Sequence, residues 1–190
     1  ANTERSAARE GATVLEGYLR ERDMRLLASR SDDASFTRAV QLLNKTNQFN
    51  LTTRRYGEAE LRLVLSNPGV RCWAFRLVDR FGDNGLVSVV LMRPEVAEQG
   101  CLIENWVMSC RVLGRGVENA IFAVLAMDAC ENGVDAMRGE YRPTPRNTMV
   151  STLYARLGFD GPAPAADGSV SWRYDMRRGV PASPFIKVEM

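Results

Sequence analysis

The sequence contains no histidine among its 190 residues, and this absence removes whole classes of catalysis. The Ser-His-Asp and Cys-His arrangements need an imidazole as general base, so neither can operate here. Any proton transfer must use Glu, Asp, Tyr, Cys, Lys or water. Since the four cysteines never form a C-x-x-C pair either, the usual pattern of zinc ligands is missing, and we predict no metal site.

A charge excess and long apolar runs are also missing. The 25 Lys and Arg residues nearly balance the 23 Asp and Glu residues, which gives no electrostatic reason to expect nucleic acid or a membrane surface as partner. The longest apolar runs, such as residues 121–127, are too short to span a bilayer. No signal-peptide pattern is visible, so we expect a cytoplasmic protein. The cysteines lie in apolar segments and are expected to be buried, reduced thiols: Cys72, Cys101, Cys110 and Cys130.

The hydrophobic content of 45% suits one domain with a sizeable core. We expect residues 1–22 to form an N-terminal linker helix and residues 23–190 to form the domain. The first residue is not Met, which suggests a piece cut from a longer protein. Apolar periodicity and turn residues predict helices at residues 4–21, 33–43, 58–65, 117–125 and 147–157, and strands at residues 24–29, 71–78, 86–92, 101–109, 134–139, near 159, and 170–176.

The run at residues 101–109 is apolar on both parities. Leu102, Trp106 and Met108 lie on one parity, while Ile103 and Val107 lie on the other. This pattern predicts a central strand buried on both faces.

A glycine-rich turn, R-V-L-G-R-G at residues 111–116, lies between that strand and the following helix. Glycines in this position allow the backbone to approach a pyrophosphate, and the helix N-terminus offers free N–H groups. Arg111 and Arg115 add positive charge. The turn therefore indicates phosphate binding, although an ordinary tight turn with a glycine N-cap would have the same sequence.

This turn, followed by a helix, a strand and the string Asn147…Leu153-Tyr154…Leu157-Gly158-Phe159, resembles motifs A and B of the GNAT (GCN5-related N-acetyltransferase) superfamily. The resemblance implies an α/β (α+β) domain with a mixed, mostly antiparallel central sheet flanked by helices. It also implies an acyltransferase that binds a pantetheine thioester, either coenzyme A or an acyl carrier protein. The cofactor contacts that it implies are Val107, Met108, Ser109, Arg111, Val112, Gly114, Arg115, Gly116, Asn147 and Tyr154.

A narrower resemblance is to the C-terminal region of FkbH-like proteins of polyketide biosynthesis. It rests on residues 42–55 (LLNKTNQFNLTTRR), 75–85 (FRLVDRFGDNG), 106–118 (WVMSCRVLGRGVE) and 139–149 (GEYRPTPRNTM). Members of that family load a glyceryl unit from a phosphorylated glycerate onto an acyl carrier protein, and they carry an N-terminal phosphatase-like domain. The D-x-D-x-T signature of that domain is absent from this sequence, so its phosphoryl chemistry does not carry over.

Three residues are candidates for catalysis. By the GNAT resemblance, Tyr154 would protonate the departing thiolate. The alternative is that Tyr154 only packs in the core. Glu104 would deprotonate the acceptor with a pKa raised by burial, or else pair structurally with an arginine. Cys110 precedes the phosphate turn, where nearby positive charge would favour its thiolate, but a free cysteine is more often a small apolar residue.

The stretch at residues 44–53 is rich in amide and hydroxyl side chains. In the arrangement implied by the resemblance it covers the acceptor side of the cleft. These uncharged donors and acceptors suit a hydroxylated acyl unit or pantetheine amides, although a loop held by its own Asx turns would look similar. The predicted substrate-binding residues are Asn47, Gln48, Asn50 and Thr52. Asn147 has an alternative as well, the N-cap of its helix.

Two functions remain open at this stage. One is acyl transfer from a pantetheine thioester. The other is a non-catalytic module that docks a carrier protein for a neighbouring domain. Both would use a basic rim against the acidic helices of a carrier, for which the candidates are Arg111, Arg115, Arg142 and Arg146.

Overall fold

A computed structural model describes residues 15–30, 33–96 and 99–190. Of the predicted helix at residues 4–21, residues 4–14 lie outside the described residues, and α1 covers residues 15–21. The other helices are α2 (Asp33–Lys45), α3 (Glu58–Leu65), α4 (Val117–Glu131) and α5 (Leu153–Arg156). The strands are β1 (Met24–Arg30), β2 (Arg71–Asp79), β3 (Gly82–Glu95), β4 (Gly100–Met108), β5 (Ala136–Tyr141), β6 (Asp160–Pro164), β7 (Val170–Asp175) and β8 (Ile186–Glu189). Among these residues, no helix is both long and apolar enough to cross a membrane.

All eight strands join one sheet in the order β6-β7-β5-β4-β3-β2-β1-β8. The pairs β4–β5 and β1–β8 are parallel, and the other five pairs are antiparallel. This mixed, mostly antiparallel sheet with helices on its faces confirms the predicted fold class. Strand β4 is buried on both faces, as its apolar composition predicts.

Helices cover both faces of the sheet. Helices α2 and α3 pack on one face with the smaller apolar cluster, which includes Phe36, Leu43 and Leu61. Helix α4 and the short α5 belong to the larger cluster. Because α4 carries apolar side chains around most of its circumference, ten of its residues are buried.

A β-bulge lies in the middle of β4. Leu91 of β3 opposes Asn105, and the next residue, Met92, opposes Ile103, so Glu104 has no partner of its own on β3. An extra residue of this kind bends a strand and reverses its side-chain alternation. Consequently Ile103 packs in the same cluster as Trp106 and Met108, and not with Val107, as strict alternation would predict. The pairing of β4 with β5 also ends here, at Ile103 and Gly139, and the two strands diverge beyond it.

Other predicted elements differ in extent. The β2–β3 turn is shorter than the predicted loop, because β3 begins at Gly82 and accommodates two irregularities in its pairing with β2. The predicted helix at 147–157 is instead a 3-10 turn (Thr148–Val150) followed by the four-residue α5, as expected where hydroxyl-bearing residues compete for backbone hydrogen bonds. Strand β8 was not predicted. Two of the four free cysteines, Cys110 and Cys130, are exposed, so their predicted burial is wrong.

Candidate functional site

The glycine-rich turn lies at the N-terminus of α4 with the backbone geometry that anion binding requires. Gly114 and Gly116 both have φ of +73°, a left-handed conformation that favours glycine. A side chain at either glycine would meet open space, so conformation and not crowding selects glycine there. The hydrogen bonds of the described residues leave the N–H groups of Gly114, Arg115 and Gly116 without a protein acceptor. These donors and the positive end of the α4 dipole are therefore available to an anion.

The two arginines of this turn bond to residues of the β2–β3 hairpin. Arg111 donates from Nη2 to the carbonyl oxygens of Asn84 at 2.6 Å and Leu86 at 3.2 Å. Arg115 forms a 3.3 Å ion pair with the buried carboxylate of Asp79. Among the described residues no carboxylate pairs with Arg111, whereas the charge of Arg115 is partly neutralised by Asp79.

A cavity of about 960 Å³ opens beside the carboxyl end of β4. Its walls come from the end of α2 and the residues after it, from the residues after β4, and from the loop before α5. The lining residues are Leu42, Lys45, Thr46, Asn47, Gln48, Ser109, Cys110, Arg111, Pro145, Arg146, Thr148 and Met149. Because Cys110 and Gly114 are four residues apart, their backbones lie within roughly 14 Å of each other. One extended ligand could therefore contact both the cavity and the turn.

The cavity is basic and uncompensated. Lys45, Arg111 and Arg146 line it, none of the described lining residues is acidic, and these three side chains have no carboxylate partner among the described residues. By contrast, Arg142, which was predicted to belong to the same rim, pairs with Glu140 and with Asp167 at 2.8 Å. The unpaired cations make an anionic ligand, such as a phosphate ester, the group that this cavity suits.

Cys110 is the predicted catalytic residue that lines the cavity. Its thiol donates to Oε1 of Gln48 at 3.3 Å, so one predicted catalytic and one predicted substrate-binding residue meet there. Neither Glu104 nor Tyr154 lines this cavity. The predicted role of Cys110 stays a prediction, and its position is the one most compatible with chemistry on a bound ligand.

Glu104 is a buried carboxylate held by two arginines. Its side chain is 2% exposed. Arg93 donates to the carboxylate from Nε at 2.8 Å and from Nη2 at 3.0 Å, and Arg54 forms an ion pair with the same carboxylate. The Tyr56 hydroxyl also donates to it at 3.3 Å. Burial, followed by the charge of Glu104, raises the pKa of Tyr56 to about 12. The contacts are those of the structural ion pair that the sequence left open, and a base role stays a prediction.

Tyr154 lies in the core of the larger apolar cluster, 1% exposed. Its ring covers Gly139 of β5 so closely that a β-carbon there would lie 2.3 Å from the ring. The Glu140 backbone N–H lies near its hydroxyl, but the described residues form no hydrogen bond of good geometry with it. Burial, and to a smaller extent the charge of Glu140, raises the pKa of Tyr154 well above its usual range. The core position matches the alternative in the sequence analysis, while proton donation to a thiolate stays a prediction.

Residues 49–52 fill the gap where β4 and β5 diverge. The Leu51 N–H donates to the Trp106 carbonyl at 3.2 Å, and the Met108 N–H donates to the Phe49 carbonyl at 3.0 Å. On the other side, the Arg142 N–H donates to the Leu51 carbonyl at 2.8 Å. The segment is thus hydrogen-bonded to β4 on one side and to Arg142 after β5 on the other, as a strand would be.

This arrangement bears on the predicted pantetheine contacts along β4. The Met108 N–H is used by Phe49, the Ser109 N–H donates to the Val87 carbonyl at 2.7 Å, and the Val107 carbonyl accepts from the Ser88 hydroxyl at 2.7 Å. The side chain of Val112, another predicted contact, is buried in the core. The named backbone groups of Val107, Met108 and Ser109 are therefore satisfied within the chain, and the predicted cofactor contacts of these residues stay predictions.

The amide-rich stretch divides into an exposed and a buried part. Asn47 and Gln48 line the cavity. Asn50 is buried, and its side chain donates to the Thr46 carbonyl at 3.2 Å and accepts from the Thr53 N–H at 2.8 Å. Thr52 is also buried and donates to the Glu104 carbonyl at 3.1 Å. Two of the four predicted substrate-binding residues are thus placed to meet a ligand.

Asn147 is fully buried and fastens this stretch to the β5 side. Its Nδ2 donates to the carbonyls of Asn50 at 2.8 Å and Arg142 at 2.9 Å, and its Oδ1 accepts from the Thr144 N–H at 2.8 Å. It precedes the 3-10 turn as an N-cap, but its side chain makes no capping hydrogen bond to that turn. Its amide serves the fold, and the predicted cofactor contact is untested.

Sequence reasoning missed Lys45 in the cavity and the two arginines on Glu104. Lys45 ends α2 within the amide-rich stretch at residues 44–53, and a cation in that place could have been noticed. Arg54 and Arg93 lie on separate elements, and no local pattern connects them to Glu104.

No protein-family model and no curated protein sequence matches this chain. Several solved structures do match. Aminoglycoside acetyltransferase AAC(6′)-Ib in complex with coenzyme A gives a TM-score of 0.61 at 14% identity, over 80% of this chain and 95% of that chain. The ribosomal-protein-S18-alanine N-acetyltransferase from Escherichia coli gives 0.58 at 13% identity, over 83% and 96%. A GCN5-related N-acetyltransferase from Kribbella flavida gives 0.57 at 17% identity, over 79% and 97%. At such identities the likeness shows the fold alone, and the chain has the fold of the GNAT N-acetyltransferases.

Proposed function

We propose that this domain is an acyltransferase that receives its acyl group as a pantetheine thioester, from coenzyme A or an acyl carrier protein. The observation that carries the proposal is the α4 turn, whose three free N–H groups begin three residues after Arg111, a lining residue of the basic cavity that contains a thiol. A phosphate on the turn and a thioester in the cavity would use both features at once. The fold agrees with this proposal, since a structure with the same fold is in complex with coenzyme A.

Within this proposal, Cys110 is the residue that accepts the acyl group. Its sulfur would form a new thioester bond to the acyl carbon, while the bond from that carbon to the pantetheine sulfur breaks. The proton of the Cys110 thiol would end on the departing pantetheine sulfur. Lys45 and Arg146 line the same cavity, where both cations would attract the anionic part of the donor.

The finer assignment rests on the FkbH-like segments. We propose that the domain handles a glyceryl or hydroxyacyl unit in a cytoplasmic polyketide pathway, with an acyl carrier protein as partner and a phosphatase-like domain in the parent chain. Asn47 and Gln48 support a hydroxylated unit, because both offer uncharged donors and acceptors to the cavity.

Binding of coenzyme A to two variants of one residue tests the proposal. Gly116→Asp would place a carboxylate against the pyrophosphate, whereas Gly116→Asn has nearly the same shape and equal tolerance of positive φ but no charge. We expect calorimetry to show at least about 30-fold weaker binding for Gly116→Asp than for Gly116→Asn, since two charges about 4 Å apart interact strongly near a protein surface. Equal affinities would reject the turn as the phosphate site.

A non-catalytic docking module is the second candidate, and one observation favours it. Glu104 and Tyr154 both lie outside the cavity, one tied to arginines and the other in the core. A domain that only docks a carrier protein would need the basic cavity and no proton-transfer residue. Acylation of Cys110 by an acyl-pantetheine separates the two, because a docking module would leave this thiol unmodified.

A further inference from the structure

Residues 49–52 are bonded and buried as firmly as a regular strand. Phe49, Asn50, Leu51 and Thr52 are each no more than 2% exposed. The rings of Phe49 and Trp106 lie 6.2 Å apart, and both residues belong to the larger apolar cluster. Their backbone groups bond to β4 on one side and to the chain after β5 on the other.

This position is the one that an extended pantetheine arm would need if it lay along the edge of β4. The amides of such an arm could bond only to the backbone groups of β4 that face β5. Those are the Trp106 carbonyl and the Met108 N–H, and both already bond to residues 49–51. The arm and the segment therefore compete for the same two groups.

Displacement of the segment by the arm would be costly. The ligand would have to expose Phe49 and Leu51, and each fully buried apolar side chain that it exposes would weaken its binding roughly 10- to 100-fold. The carbonyl of Asn50 would also lose its bond from the buried Asn147 amide, which would leave that amide short of a partner. An arm that enters by another route avoids both penalties.

We propose that residues 49–52 are a permanent part of the sheet, and that a pantetheine arm enters end-on through the basic cavity and does not lie along β4. This inference rests on the proposed function. The cavity of about 960 Å³ is large enough for a ligand of that size. Asn47, Gln48 and Ser109 offer the neutral polar groups that its amides require, and Cys110 lies where its thioester would arrive.

Amide hydrogen exchange on the full chain tests the permanent strand without any ligand. The amides of Leu51, Met108 and Arg142 should exchange as slowly as the central amides of β3, because they open only with the whole sheet. Exchange more than roughly 100-fold faster than in β3 would show that residues 49–52 detach from the sheet without a ligand, and it would overturn the inference.

The same amides are then measured with saturating coenzyme A. We expect their exchange to change by less than about threefold, while the resonances of Gln48 and Cys110 shift. Loss of protection at Leu51 and Met108 on binding would overturn the end-on route and leave the proposed function standing. Failure of both coenzyme A and phosphopantetheine to bind would instead overturn the proposed function, and the route with it.

A reversible disulfide that fixes residues 49–52 to β4 provides a second test. Asn50 and Val107 oppose each other in an antiparallel bridge, so Asn50→Cys combined with Val107→Cys should form a disulfide across it. The dissociation constant for coenzyme A should differ by less than about threefold between the oxidised and the reduced form of this variant. Binding that weakens more than about tenfold on oxidation and returns on reduction would show that the segment must move.

Discussion

Two tyrosines in the larger core cluster differ mainly in the environment of their hydroxyl groups. The rings of Tyr154 and Tyr174 lie 4.9 Å and 5.3 Å from the ring of Phe159. Both residues are buried. The Tyr174 hydroxyl donates to the Gly179 carbonyl at 3.0 Å, whereas the Tyr154 hydroxyl has no partner among the described residues. The pair is therefore suited to a comparison of Tyr154→Phe with Tyr174→Phe.

The expected effects on stability have opposite signs. A buried hydroxyl without a partner costs about 1–3 kcal/mol, so its removal in Tyr154→Phe should raise the free energy of unfolding by about 1 kcal/mol. Tyr174→Phe removes a satisfied hydrogen bond and should lower that free energy by about 0.5–1.5 kcal/mol. For a domain of this size, the two variants should shift Tm by about 2–4 °C in opposite directions.

Urea denaturation of parent and variants, with the m-value checked for constancy, measures these differences. A loss of stability in Tyr154→Phe as large as in Tyr174→Phe would refute the reasoning, because it would mean that the Tyr154 hydroxyl is satisfied. The same variant tests the proton-donor role. If Tyr154 protonates the departing thiolate, Tyr154→Phe should be more stable and yet transfer 10² to 10⁴ times more slowly, with about that range typical of lost acid catalysis. An unchanged rate would assign Tyr154 to the core alone.

Three further predictions concern the charged and nucleophilic residues. Glu104→Gln should lower the free energy of unfolding by about 2–3 kcal/mol, because its amide would oppose two arginines; a slower transfer at unchanged stability in urea would instead favour the base role. After incubation with an acyl-pantetheine, intact mass should show one added acyl group on the parent and on the control Cys130→Ala, and none on Cys110→Ala. Acyl addition to Cys110→Ala would reject Cys110 as the acceptor. Arg146→Glu should slow association with an acidic carrier protein at low salt more than Arg142→Glu, since only Arg142 already pairs with carboxylates. Equal rates for the two charge reversals in stopped flow would contradict a carrier surface at Arg146.

Local patterns were sufficient for most of the framework. The apolar run of β4, the glycine turn at residues 111–116 and the apolar helix α4 could be predicted because each depends on neighbours in sequence. The left-handed φ of Gly114 and Gly116 is the kind of feature that a glycine-rich turn predicts well. Asn47, Gln48 and Cys110, which the sequence analysis named, all line the cavity, but Cys110 was expected to be buried and the roles of all three stay predictions.

The parts that could not be predicted depend on contacts between distant segments. Nothing near Glu104 in the sequence indicates a bulge, because the bulge is defined by how β4 pairs with β3. The burial of Asn50 and Thr52 likewise depends on the gap between β4 and β5, which opens only once β4 bends. Amide and hydroxyl side chains are typical of binding loops, but they also satisfy a polar segment that is buried inside the fold.

The bulge in β4, the gap between β4 and β5 and the buried residues 49–52 are parts of one arrangement. This arrangement limits what can be inferred about function from the fold. The bulge at Glu104 ends the β4–β5 pairing, residues 49–52 fill the gap that follows, and Asn147 holds them from the β5 side. The Trp106 carbonyl and the Met108 N–H at this edge of β4 already bond to residues 49–51, so the GNAT fold alone does not identify where a ligand would bind. Function must then be argued from what remains accessible. What remains is a basic cavity that contains the Cys110 thiol and lies beside a turn with free N–H groups. Acylation of this thiol is the observation on which the choice between an enzyme and a docking module depends.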